Sequence, residues 1–149
     1  MLNSRVHQRR RQQRKRVSSM SYKPYADITY YHDTFQGDVL SEDDASRYLR
    51  QASRHIDTLT YNRIVGRGFS NLTEFQQEII REVCCRQAEF ECENADILDT
   101  ILSSYSVNGV SMGFNGQAWN VFAYKGIAMK KSDYSLLAQT GLTCRLAVR

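Results

Sequence analysis

Apolar residues recur at helical spacing in two long stretches of this chain. In the first, Ala45, Tyr48, Leu49, Ala52, Ile56 and Leu59 follow a three-to-four spacing and share one helical face. Ser41 stands at the N-cap, Asp44 occupies the capping-box position, and Glu42 and Asp43 place carboxylates at the positive end of the helix dipole. A helix over about 42–60 is predicted. The second stretch opens after Thr73, with Gln76 three residues on, and runs to about residue 100 with a break near Asn94. Phe75, Ile79, Val83, Phe90, Ile97 and Ile101 mark its apolar face. Between the two, Val65-Gly66-Arg67-Gly68-Phe69-Ser70-Asn71 reads as a turn with two glycines.

Outside these stretches the pattern changes. Residues 20–40 are aromatic-rich, contain the only proline, and read as an extended lead-in packed against the body. Tyr105–Met112 is β-prone around an Asn108-Gly109 turn signal. Residues 113–128 are rich in glycine, aromatics and amides, carry the only tryptophan, Trp119, and show neither helical nor strand period. A short helix over about Ser132–Gln139 follows, with Gly141 as its C′ residue and Leu137 and Leu142 expected to close over the turn. The fold class expected is mainly α. It is a small bundle of two longer helices plus a short C-terminal helix, with an inserted β-hairpin or extended arm.

A chain of 149 residues suits one domain, here residues 20–149. No apolar run approaches the roughly 18–20 residues that span a bilayer, and no apolar h-region follows the N-terminal arginines, which argues against a secretory signal. The expected setting is a cytoplasm, or a particle assembled in one.

The formal charge of +4 conceals an asymmetry. Arg5, Arg9, Arg10, Arg11, Arg14, Lys15 and Arg16 crowd into the first sixteen residues without an acid, leaving the other 133 residues with a net of −3. Residues 1–19 therefore read as a disordered basic tail on a mildly acidic body. Such a tail binds polyanions by counterion release, and without interleaved aromatics it implies no base specificity. Three readings stand: a solvated non-specific arm, an arm for a specific anionic partner, or a stretch upstream of a natural start at Met20.

Candidate chemistry is sparse. Cys84, Cys85 and Cys92 share the second helix and Cys144 stands apart, with no C-x-x-C and only His7, His32 and His55 as imidazoles. Reduced, buried thiols and no metal are expected. Gly66-Arg67-Gly68 lacks the third glycine and the Lys-Ser/Thr of phosphate cradles. No serine sits in Gly-x-Ser-x-Gly. The expectation is a protein that is not an enzyme and holds no cofactor. The second helix carries many carboxylates, and Glu82 with Arg86 makes an i,i+4 pair. Glu82, Glu89, Glu93 and Asp96 fall on one stripe, either a solvated face or a negative wall beside a DNA passage.

Three segments, in order, resemble a known family. Ile56-Asp57-Thr58-Leu59-Thr60-Tyr61-Asn62-Arg63-Ile64 is similar to the end of the first helix in head–tail connector proteins of long-tailed phages and Gram-positive prophages. Ser104–Met112 resembles their central strand. Gly126-Ile127-Ala128, then Tyr134–Leu142 and Arg145, resembles their closing helix and turn. The resemblance covers roughly residues 22–147, and the Arg-rich residues 1–19 fall outside it.

That resemblance implies a homo-oligomeric ring beneath the portal protein, with a symmetry that matches the portal's. The ring retains packaged DNA, which it touches by proximity and without sequence preference, and it offers a docking site to a tail-proximal head-closure or tail-completion protein. The implied place is the head–tail neck of a virion assembled in a bacterial cytoplasm. The candidate subunit or portal contacts are Trp119, Phe122 and Tyr124 in the aromatic segment, and Leu137, Gly141, Leu142 and Arg145 in the closing element. The rival reading is a small DNA-binding regulator using the basic tail. The acidic body and the long glycine-bearing turn between the helices argue against a helix-turn-helix.

Overall fold

The computed structural model describes residues 22–98, 111–114 and 117–145. Helix α1 spans Glu42–Leu59, a short α2 spans Arg63–Arg67, and α3 spans Glu74–Glu93. Strands β1 (Ser111–Phe114), β2 (Gln117–Tyr124) and β3 (Ile127–Lys130) form an antiparallel sheet in the order β1-β2-β3, and α4 spans Lys131–Ala138. The architecture is mainly helical, with an antiparallel β element set between the two long helices and the short last one.

The helix limits follow from their caps. Ser41 Oγ accepts from Asp44 N at 3.3 Å, which satisfies one of the orphan donors of α1. At α3, Gln76 N donates to Thr73 Oγ1 at 3.2 Å while Thr73 N donates to Gln76 Oε1 at 3.1 Å, a reciprocal capping box. Asn94 ends α3, and its Nδ2 turns back to Phe90 O at 2.9 Å. Helical pairing resumes at once, with Leu98 N on Asn94 O at 2.9 Å, so the break falls at Asn94.

Helices α1 and α3 pack along apolar faces, with Ala45, Leu49, Ala52 and Ile56 meeting a core that contains Ile80, Val83, Cys84 and Ala88. Met129, Leu137 and Leu142 close the same core from the sheet and α4. Each fully buried aliphatic side chain contributes about 1.5–3 kcal/mol relative to exposure.

Several expectations needed correction. The lead-in is not simply extended, because Tyr30–Thr34 forms a π-helical turn. That turn puts the Tyr31 ring, fully buried, into the core. The loop expected over 65–71 is instead α2 followed by a 3₁₀ turn at Phe69–Asn71. Phe75 is 57% exposed rather than on the apolar face. It lies nine residues, about half a helical turn in angle, from Cys84, which faces α1. The segment 113–128 carries strand structure, with β2 and β3 joined by Lys125 (φ 53°) and Gly126 (φ 75°). Two consecutive positive φ values are what a tight hairpin connection requires. The Asn108-Gly109 turn lies outside the described residues. Among the described residues no helix is long and apolar enough to cross a membrane.

Candidate assembly surface

The closing element is tied to both helical layers. Arg63 Nη1 donates to Leu142 O at 2.8 Å, and Gln76 Nε2 donates to Thr140 O at 2.9 Å. Gly141 takes φ 74°, the left-handed conformation expected of a C′ residue, and its N–H donates to Ala138 O at 3.0 Å. Thr140 Oγ1 donates to Leu137 O at 2.7 Å, which caps the last turn from within.

Leu137 and Leu142 are buried core residues, so this pair holds the element in place and does not form a free surface. Phe122 is half-buried and stacks on Tyr134 with ring centroids 4.1 Å apart. Tyr124 is half-buried beneath the exposed Arg145, whose guanidinium lies 5.3 Å from the ring centre. Lys125 Nζ lies 4.1 Å from the Tyr61 ring centre and 5.4 Å from that of Tyr124. Arg145, Lys125 and Tyr124 thus make a cationic, aromatic corner where the β2–β3 turn meets the end of the chain. The side chain of Trp119 lies outside what is described.

At the start of α4, Asp133 is buried, with Arg86 Nη1 at 3.6 Å. Burial raises its carboxyl above the ordinary range, and Arg86 and Lys130 oppose that shift. Arg86 also chelates Glu82 Oε1, with Nη2 at 2.8 Å and Nε at 3.1 Å.

The four acids proposed as one stripe have different surroundings. Glu82 is held by Arg86, while Glu93 and Asp96 are exposed. Glu89 is half-buried and accepts from Tyr31 Oη at 2.8 Å, and burial raises its carboxyl. The same Tyr31 oxygen accepts from Val39 N and Leu40 N, each at 3.0 Å. Burial pushes the Tyr31 phenol up to about 12.

A second polar tie fixes the lead-in. Tyr22 Oη donates to Asp57 Oδ2 at 2.6 Å, Tyr25 Oη donates to Asp57 Oδ1, and Tyr25 N donates to Ser53 Oγ at 3.0 Å. Burial first, then the Asp57 carboxylate, raises both phenols. Nothing in the spacing of residues 35 positions apart signals this contact.

Cys84, Cys85 and Cys92 offer no activated nucleophile. Burial pushes Cys84 up to about 11 and raises Cys85 and Cys92 as well, whereas a reactive cysteine has its thiolate favoured. Among the described residues no group of three His, Cys, Asp or Glu is placed to hold a metal ion. Comparison of the chain with protein-family models, with curated proteins and with solved structures gave no match.

Proposed function

We propose that this chain is a structural subunit of a phage head–tail connector, assembling as a ring on the portal and presenting a surface on which the tail docks. The observation that carries the reading is the way distant segments bearing the family resemblance join. Arg63, at the end of the first resembling segment, donates to Leu142 at the end of the last. Gly126–Ala128 packs into the same unit, because Gln87 Nε2 of α3 donates to Ala128 O at 2.8 Å. A fixed closing element of this kind suits a docking surface, since a partner then meets a preformed shape and little ordering entropy is lost on binding.

In this reading the corner formed by Arg145, Lys125 and Tyr124 faces a neighbouring protein, and Leu137, Gly141 and Leu142 hold it in shape. Electron microscopy of a cognate portal mixed with the full chain tests the proposal. An added ring of density is expected, and a portal that stays bare across a range of salt concentrations overturns it.

A further inference from the structure

The outer faces of the two long helices carry opposite charge. On α1, Arg47, Arg50 and Arg54 are exposed and line a shallow groove of about 460 Å³ with Asp43, Ser46 and Gln51. Among the described residues none of the three arginines pairs with a carboxylate. Arg54 is held by the Tyr22 ring, 3.8 Å from its guanidinium carbon, and Arg47 lies over the Tyr48 ring at 5.3 Å. On α3, Glu74 and Glu78 are exposed, Glu82 is half-exposed and shares its carboxylate with Arg86, and Phe75 stands uncovered beside Glu74.

Part of each face lies away from the seam between the helices. Leu49, Ser53 and Cys84 meet where the helices pack. Arg47 and Arg54 lie on the side of α1 opposite Leu49, and Phe75 and Glu82 lie on the side of α3 opposite Cys84. The lengths match as well. Arg47 to Arg54 spans about 10 Å of helix axis and Glu74 to Glu82 about 12 Å, at 1.5 Å per residue.

We infer that the arginine face of α1 in one copy of this chain binds the Glu74–Glu78–Glu82 face of α3 in the next, with Phe75 as an apolar contact at one end of it. An interface between two different patches of a subunit is heterologous, and it propagates until a rotation closes it into a ring. The inference deepens the connector reading and rests on it for the closed ring. The contact itself does not depend on a portal.

Charge reversal on the full chain tests it by sedimentation velocity at low salt. Wild-type protein should self-associate with rising concentration and dissociate as salt screens the contact. Arg50→Glu and Glu78→Arg should each weaken self-association at least about tenfold, because like charges then face each other. Both positions are exposed, so thermal melting should stay unchanged. Mixed, the two variants should co-assemble where neither does alone, because each reversed charge then meets the other and each retained charge meets its native partner. The double variant in one chain should regain self-association.

A wild-type chain that stays monomeric at the highest concentration, or variants that associate as wild type does, overturns the inference. So does an Arg50→Glu chain that loses affinity for a DNA duplex but not for its own copies. Outcomes for the connector reading separate cleanly. A ring on the portal that is indifferent to these reversals keeps that reading and removes this contact. Salt-sensitive self-association beside a bare portal does the opposite.

Discussion

Replacing Tyr31 by Phe deletes one oxygen and leaves the buried ring in place. That oxygen accepts from Val39 N and Leu40 N and donates to Glu89, so three groups lose a partner together. Leu40 is buried, and its N–H would face the full penalty of an unsatisfied donor, about 1–3 kcal/mol. Val39 is exposed and Glu89 half-exposed, so water can replace part of what they lose, at about 1 kcal/mol or less each. The expected destabilisation is about 3 kcal/mol, a large share of the roughly 5–15 kcal/mol that holds a domain together. Urea titration followed by circular dichroism measures it, provided the slope of the transition is unchanged. Tyr30→Phe is the control, since the Tyr30 hydroxyl makes no hydrogen bond among the described residues. Gly37→Ala approaches the same contact from outside, because a Cβ there would lie 2.2 Å from Tyr31 ring carbons. A Tyr31→Phe loss below about 1 kcal/mol would refute the view that this hydroxyl organises the lead-in.

Three further outcomes are expected. Native protein should react with a thiol reagent first at exposed Cys144, with buried Cys84 and Cys85 labelled only on unfolding; rapid native labelling at either would contradict their burial. Tyr22 and Tyr25 have phenols raised above the ordinary value of about 10, so the stability they supply is complete below that value and is lost as pH rises beyond it. Alkaline unfolding followed by circular dichroism should show this steep loss, and Tyr22→Phe with Tyr25→Phe should flatten it. Gly141→Val should cost about 1 kcal/mol or more, and Leu142→Asp several, by burying an unpaired charge. If the proposed connector role holds, Arg145→Glu should leave melting unchanged and yield DNA-filled heads that leak or lack tails; normal infectivity would remove the docking role proposed for Arg145.

The long helices were legible because their stop and start signals are local. Ser41, Thr73 with Gln76, and Gly141 act through backbone groups within four residues, so their spacing alone specifies them. The inserted hairpin was legible as an element, but the β2–β3 connection was not, for a reason equally physical. Its turn is Lys125-Gly126, and a lysine at positive φ is not a composition signal, whereas Asn-Gly is. Phe75 misled because periodicity reports an angle within one helix and not which part of that helix a neighbour covers. The ties from Tyr22 and Tyr25 to Asp57, and from Tyr31 to Glu89, join residues far apart in sequence, which no window reads. Of the candidate surface, the helix stop at Gly141 and the closure of Leu137 and Leu142 over it were legible, but the corner that Arg145 makes with Tyr124 and Lys125 required the packing itself.

The carboxylate of Asp57 takes one phenol on each oxygen. A pull on the chain ahead of Tyr22 therefore meets the Tyr22 hydroxyl bond first and then, three residues on, the Tyr25 hydroxyl bond and the Tyr25 N–H bond to Ser53 side by side. Bonds loaded side by side share the force, whereas bonds loaded in series fail one at a time. All three anchors end on α1, within a single helical turn of one another. A tug on the lead-in is thus passed at two positions to α1, whose inner face lies in the core. Asp57 is the pin of that latch, because two of the three bonds end on its carboxylate.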